Sequence, residues 1–329
     1  MYPLDATENR IFSGSSNPEL AVAVAKQLSI PLSTTHISRF SNDNLYIQLG
    51  QSVRWRNVYI VQSLSPPVND HLMELLMMID IAKSAAASSI HVLIPYYSFA
   101  RSDKKDAPRI SITARLIADL LKTAGATHVM TMQLHSPQVH GFFSVPTDPL
   151  TARFVFEQHF LASDLTNAVV VSPDVGGAKS AARFAKGLNL EVISGNKERV
   201  SDTEVRISGL VGKTVKGFKR AIVYDDEIAT GSSIVEISHV LVENGIQEIS
   251  VVCTHGVFVR NALDRLQAIE QIKEIVTTDT VQIAPEKVRP KLKVLSVAPV
   301  FAQAIYTNYN RQSLGRLFEF GKPGEQNIA

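Results

Sequence analysis

A single cysteine, Cys253, stands among the 329 residues, so no intrachain disulfide can form and nothing points to an oxidising compartment. Charge of one sign is not in excess either. The 33 Lys and Arg residues face 31 Asp and Glu, a formal net charge of +2, which argues against a general binder of nucleic acid or membrane surface. Any anion site must come from local clustering. No apolar run reaches the roughly 18 residues that a membrane helix needs, and the densest, residues 72–82, is interrupted by Glu74 and Asp80. The first ten residues carry acids and no apolar core, unlike a secretory signal. Low-complexity tracts and short-period repeats are missing too. The expectation is a soluble, cytoplasmic protein, long enough for about two domains.

What is present is an alternation of short β-branched runs with helical patterns. Asn17-Pro18-Glu19 predicts a helix start: a capping Asn, a Pro at the first helical position and an acid at the positive dipole end. Strands are predicted at 58–61, 90–94 and 129–132, then at 168–171, 190–193, 221–224 and 249–253. Leu72, Leu75, Leu76, Ile79 and Ala82 keep helical spacing. Ser111 can cap a helix that buries Ile112, Leu116, Ile117 and Leu120 and stops near Gly125. Further helices are predicted at 178–188 and 234–243. Strands alternating with helices imply an α/β chain, two units meeting near residue 150, each a parallel sheet flanked by helices. Ligand sites in such sheets lie at the carboxyl ends of strands.

The polar motifs fall there. The run Ala221-Ile222-Val223-Tyr224 leads into Asp225-Asp226-Glu227, then Ile228-Ala229-Thr230-Gly231-Ser232-Ser233 and a helix. Small residues let backbone N–H groups close around an anion, and a helix N-terminus favours phosphate there. Neighbouring carboxylates repel, so Asp225 and Asp226 call for sugar hydroxyls, water or metal as compensation. Gly-Ser-Ser alone reads as an ordinary turn. The whole string resembles the ribose-phosphate-binding loop of type I phosphoribosyltransferase folds.

Elsewhere, Arg101, Lys104, Lys105 and Arg109 surround Asp103 and Asp106. Such a loop can fold over a triphosphate, although by itself it reads as a solvated surface. His135 follows a strand and offers a ring nitrogen to metal or phosphate, while a lone His is more often structural. Asp174 ends a strand before Gly176-Gly177. Lys197 and Arg199 alternate, which in extended geometry points both one way, unfavourable unless an anion sits between them; the bland reading is a solvated basic turn.

Taken in order, these motifs resemble the ribose-phosphate pyrophosphokinase (PRPP synthetase) family over roughly residues 11–318. The signature run is Gln133-Leu134-His135-Ser136-Pro137-Gln138-Val139-His140-Gly141-Phe142-Phe143, continuing to Pro146 and Asp148. Phe12-Ser13 with Ser16-Asn17-Pro18-Glu19-Leu20, Arg39-Phe40-Ser41-Asn42, Ile94-Pro95-Tyr96-Tyr97, Ser172-Pro173-Asp174, Lys197-Glu198-Arg199, and Ser313 with Leu317-Phe318 follow the same pattern.

The resemblance implies two tandem phosphoribosyltransferase-like (type I) domains: 1–150 on the ATP side, 151–305 binding ribose 5-phosphate, and a tail, 306–329, packing back on the first. It implies transfer of the β,γ-diphosphoryl group of ATP to the 1-hydroxyl of ribose 5-phosphate, giving PRPP and AMP. ATP would meet Phe40, Asn42, Asp43, Asn44, Arg101, Ser102, Lys104, Lys105 and Asp106. Ribose 5-phosphate would meet Asp174, Arg199, Asp225, Asp226, Ala229, Thr230, Gly231, Ser232 and Ser233. Mg²⁺ would be held by His135 and Asp174, with Lys197, Arg199 and His135 acting in catalysis. The active site would lie between the domains, and residues 40–44 would complete a neighbour's nucleotide pocket in a homodimer that assembles to a hexamer. Regulated members bind phosphate or ADP at an allosteric site.

Several positions depart from the family pattern. Gln133 stands where an Asp is common, Asn44 where a Glu is, Ser102 and His140 where Gln is, and Ala229 where a third Asp is. Gly315 and Arg316 replace a Ser and a Tyr in the tail, so regulation is expected to differ. Three alternatives stay open: a non-catalytic homologue regulating active subunits, a phosphoribosyltransferase consuming PRPP, and a pyrophosphokinase with a shifted donor or acceptor.

Overall fold

In the computed structural model the described residues are 1–199, 205–211 and 215–318, with the backbone alone described at 196–199 and 205–211. The chain divides into two units: unit 1 is Met1–Thr151, Thr280–Gln282 and the chain from Ser296 on, and unit 2 is Ala152–Asp279 with Ile283–Leu295.

Unit 1 contains β1 (Asn9–Ser13), α1 (Pro18–Gln27), β2 (Leu32–Ser33), β3 (Thr35–Arg39), β4 (Leu45–Leu49), β5 (Asn57–Val61), α2 (Val68–Ser84), β6 (Ser89–Ile94), α3 (Thr113–Ala124), β7 (His128–Met132) and β8 (Thr147–Leu150). Six strands form a parallel sheet in the order β2-β1-β5-β6-β7-β8, and β3 and β4 form a separate antiparallel hairpin. Phe12, Val58, Ile60, Val92, Ile94 and Val129 of the sheet pack against Leu75, Met78 and Ile79 of α2 and Ile117 and Leu121 of α3. Each such side chain, fully buried, contributes about 1.5–3 kcal/mol of transfer free energy.

The sequence signals explain the helix ends in part. Asn17 caps α1 by accepting from the Leu20 amide, with Pro18 at the first position. Ser111 does not cap α3: the cap is Ile112, with no side-chain bond. The buried face of α3 is also turned from the expected one. Ala114, Ile117, Ala118 and Leu121 form the inner stripe, while Leu116 and Leu120 are 45% and 37% exposed. The two alanines let the helix lie close to the core, which rotates the larger leucines outward.

Unit 2 contains α4 (Arg153–Leu161), β9 (Ala168–Ser172), α5 (Ala178–Gly187), β10 (Glu191–Arg199), β11 (Val205–Val211), β12 (Arg220–Ile228), α6 (Ser232–Glu243), β13 (Glu248–Gly256), α7 (Ala262–Gln267), β14 (Ile272–Thr278) and β15 (Leu292–Leu295). Its seven-stranded sheet runs β11-β10-β9-β12-β13-β14-β15, parallel except for the β10–β11 pair. Every residue of β9 is buried, as a central parallel strand covered on both faces requires. Val169, Val171, Val223, Val251 and Ile275 pack against Ile234, Ile237 and Leu241 of α6 and Leu266 of α7.

The chain then returns to unit 1 through α8 (Ala298–Tyr309). By this division α8 belongs wholly to unit 1. Tyr306 packs on Tyr2, ring centroids 5.7 Å apart, and the Tyr309 hydroxyl donates to Glu8 at 2.7 Å. Beyond α8, Phe318 bridges Leu150, and the Thr151 amide donates to the Leu317 carbonyl.

In both sheets the first strand has its successor on one side and the next parallel strand on the other. That reversal falls between β1 and β5 in unit 1 and between β9 and β12 in unit 2. A crevice opens at such a switch point, outside the carboxyl ends of the strands.

Candidate functional site

At the unit 2 switch point β9 ends in Ser172-Pro173-Asp174. The Asp174 carboxylate accepts from the Gly177 amide at 3.0 Å, and Ser172 Oγ donates to the Asp174 carbonyl at 2.7 Å, so the turn into α5 fixes Asp174 locally. Across the crevice β12 runs further than the predicted 221–224. Its pairing with β9 stops at Val223, while its pairing with β13 continues to Ile228 opposite Gly256. The strand therefore carries Asp225, Asp226 and Glu227 past its neighbour's end. Burial, then Asp226 and Asp174, push the Asp225 carboxyl well above the usual carboxylate range. Asp225 thus feels two further carboxylates, an arrangement that suits hydroxyl donors.

The turn after β12 follows directly. Gly231 has φ 74°, a left-handed conformation that favours glycine. The N-cap of α6 is Gly231 itself, which has no side chain to offer the first amides. Thr230 Oγ1 and Ser232 Oγ lie 3.3 Å apart, and the Ala229 carbonyl accepts from the Val259 amide at 3.0 Å. Thr230, Ser232 and Ser233 are half-buried. Arg265 on α7, which belongs to no motif in the sequence, reaches this turn. Its Nη1 is 3.3 Å from both the Thr230 carbonyl and Ser232 Oγ.

Lys197 and Arg199 lie on the outer part of β10, in register with Ile207 and Val205 of β11. Their side chains lie outside the described residues.

The other candidates belong to unit 1. His135 is exposed in the turn after β7. Residues 40–44 form the tip of the β3–β4 hairpin, closed by bonds from the Phe40 amide to the Asn44 carbonyl and from the Asp43 amide to the Phe40 carbonyl. Asn42 Oδ1 accepts from the Asn44 amide. Phe40 is 57% exposed, a large apolar side chain at a hairpin tip, with its ring 5.6 Å from that of Tyr46. Arg39 braces the tip, pairing with Asp43 and with Asp70 of α2, both at 3.0 Å. Arg101, Ser102, Lys104, Lys105 and Asp106 are all exposed on the loop between β6 and α3.

Comparison with known proteins bears on both units. Residues 9–125 match the N-terminal domain of ribose phosphate pyrophosphokinase, and residues 203–319 match the phosphoribosyl synthetase-associated domain. A Streptomyces coelicolor protein is 50% identical over 309 residues, 94% of this chain and 97% of its own. A ribose-phosphate pyrophosphokinase of Deinococcus radiodurans is 46% identical over 313 residues, again 94% and 97%. The chain belongs to the ribose-phosphate pyrophosphokinase family. The crystal structure of phosphoribosylpyrophosphate synthetase from Mycobacterium smegmatis superposes with a TM-score of 0.86 at 35% identity, covering 92% of this chain and 99% of that one. Both units therefore have the phosphoribosyltransferase-like fold.

Within this pyrophosphokinase family, two of the departing residues are tied into local hydrogen bonds. Gln133, at φ 41°, is buried, donates its amide N–H to the Leu150 carbonyl and accepts from Thr151 Oγ1 at 3.1 Å. His140 Nε2 meets the Thr147 carbonyl at 3.0 Å.

Proposed function

We propose that this chain is a Mg²⁺-dependent ribose-phosphate pyrophosphokinase, attaching the β,γ-diphosphoryl group of ATP to the 1-hydroxyl of ribose 5-phosphate. The observation that carries the reading is the acidic cluster of Asp174, Asp225 and Asp226 beside the Thr230–Gly231–Ser232 turn at one switch point, in a chain matched along both units by pyrophosphokinases.

The turn and the N-terminus of α6 would take the 5-phosphate, and Asp225 and Asp226 would accept from the ribose hydroxyls. Phe40, Asn42, Asp43 and Asn44, with Arg101, Ser102, Lys104, Lys105 and Asp106, would take ATP, the hairpin tip being supplied by a second copy in a homodimer or larger ring. The 1-hydroxyl oxygen attacks the β-phosphorus, its proton leaves, and the bond from that phosphorus to the α-phosphate oxygen breaks to release AMP. Charge spreads over the transferring group, so positioning and cationic side chains do most of the work. Lys197 and Arg199 are assigned that part.

Among the described residues no three His, Cys, Asp or Glu side chains form a ready metal cage. This suits Mg²⁺ bound largely through substrate phosphates. Asp174 and His135 would hold the ion, which when bound neutralises charge on the phosphates.

Purified protein with ATP, ribose 5-phosphate and Mg²⁺ should yield AMP and PRPP in equal amounts, resolved by chromatography and phosphorus NMR, and neither without the sugar. No product across several NTPs and metals would shift the reading to a regulatory subunit. Lys197→Ala is expected to lower kcat by about 10²–10³, and retention of most turnover would remove Lys197 from the mechanism.

A further inference from the structure

The ribose-phosphate turn rests on a guanidinium from a different element. Arg265 is half-buried on α7, and among the described residues it bonds no carboxylate. The acid beside it in sequence, Asp264, is engaged by Arg289 at 2.8 Å. Arg265 Nη1 instead sits between the Thr230 carbonyl and Ser232 Oγ, 3.3 Å from each. These two groups flank Gly231, whose φ of 74° sets the shape of the turn. Nε and Nη2 make no hydrogen bond among the described residues. A partly desolvated cation held against a turn at a helix N-terminus lacks an anion, and a phosphate monoester in that turn supplies two charges.

We propose that Arg265 is a positioning residue for ribose 5-phosphate. It clamps the two sides of Gly231 and adds a fixed positive charge behind the 5-phosphate, and so selects the phosphorylated sugar over free ribose. It acts through the turn and not on the transferring group, so it governs binding of the acceptor more than the chemical step. This rests on reading residues 229–233 as the 5-phosphate cradle.

The test compares wild type with Arg265→Met and Arg265→Lys. Arg265→Met should raise KM for ribose 5-phosphate by about 10–100-fold, the loss expected of a charged hydrogen-bond partner, with KM for ATP within about twofold. Arg265→Lys should recover part of the loss, since it keeps the charge and loses the planar fork. A structural role alone would lower Tm and move both KM values and kcat together, without rescue by Lys. A second readout needs no turnover: ribose 5-phosphate, added without ATP, should raise the Tm of wild type and not of Arg265→Met. Unchanged acceptor KM and equal thermal protection in the variant would overturn the proposal. A wild type neither active nor protected by ribose 5-phosphate would overturn the proposed function, and this inference with it.

Discussion

At the switch point between β1 and β5 a buried carboxylate is satisfied by its own chain, whereas at the one between β9 and β12 carboxylates are pressed against each other. Glu74, 4% exposed, accepts from the Ser15 amide at 3.1 Å, from Ser15 Oγ and from Gln62 Nε2 at 2.8 Å. Gln62 Oε1 in turn accepts from the Ser16 amide, and Ser16 Oγ from the Ser63 amide. In this Ser-Gly-Ser-Ser turn the Ser15 donors go to the Glu74 carboxylate, the Ser16 amide to Gln62 and the Gly14 amide to the Val61 carbonyl. In the Thr-Gly-Ser-Ser turn of unit 2, Thr230 Oγ1 meets Ser232 Oγ and Arg265 reaches Ser232 Oγ, beside an Asp225 whose carboxyl is pushed upward. One fold, used twice, thus satisfies a buried carboxylate in one crevice and crowds carboxylates in the other, the kind of local disagreement expected at a functional site.

The glycines of the two turns offer the largest contrast. The atoms nearest a Cβ on Gly231 belong to Ala262 and Leu266, at an ordinary 3.7 Å, so the positive φ is the chief cost. Gly231→Val should therefore distort the cradle and lower kcat/KM for ribose 5-phosphate by about 10²-fold or more. A Cβ on Gly14 overlaps the Gln62 amide. Gly14→Ala should destabilise by about 1–3 kcal/mol in urea unfolding while each folded molecule keeps its turnover. Equal losses of turnover in both variants would erase the distinction between the crevices.

Next in size is the internal anion. Glu74→Ala strands the Ser15 amide and Ser15 Oγ and leaves Gln62 Nε2 with the His71 carbonyl alone, at a cost of about 1–3 kcal/mol. Inorganic phosphate should stabilise this variant more than it stabilises wild type, because an anion can re-enter the emptied turn. A phosphate response no larger than that of wild type in thermal melts would count against Glu74 as an anion surrogate.

This contrast was not legible in the sequence. Two hydroxyl-rich glycine turns before helices look alike until Glu74 and Gln62, distant in the chain, are seen to fill one of them. The alternation of strands and helices, the α1 cap at Asn17 and the buried run of β9 were readable because they are set locally. The extension of β12 over its acids was not, since propensity ends at Tyr224 and only pairing with β13 carries the strand on. The face of α3 was misread because alanines give little hydrophobic signal yet permit the closest packing. Arg265 was missed for the same reason as Glu74: its partners lie on another element, and nothing in its own segment distinguishes it from a solvated charge.

The smallest predicted effects concern pH, and their signs oppose each other across the two units. In unit 2, Asp225→Asn removes a crowded charge and should stabilise the ligand-free protein by about 0.5–2 kcal/mol. The folded-state value of Asp225 is raised, so the folded protein binds more protons and its penalty grows as pH rises. The advantage of the Asn variant should therefore shrink on acidification. In unit 1, His91 lies on a buried chain: Ser89 Oγ meets its Nε2 at 2.8 Å, its Nδ1 meets His128 Nδ1 at 2.9 Å, and His128 Nε2 meets Asp148 at 2.8 Å. The nitrogen–nitrogen contact has room for one hydrogen, so both rings cannot be imidazolium at once. Tyr59 stacks on His91 at 4.7 Å, with Tyr309 beyond it, and neither supplies a counter-charge. Burial, then His128, hold His91 down to about 3, so its stabilising contribution is present above 6.5 and lost as pH falls toward 3. Between pH 6.5 and 5.5 wild type should lose up to about 1.4 kcal/mol from this group. His91→Asn, less stable at neutral pH, should show a flatter acid limb in urea unfolding. A limb as steep as that of wild type would assign the acid sensitivity to another group.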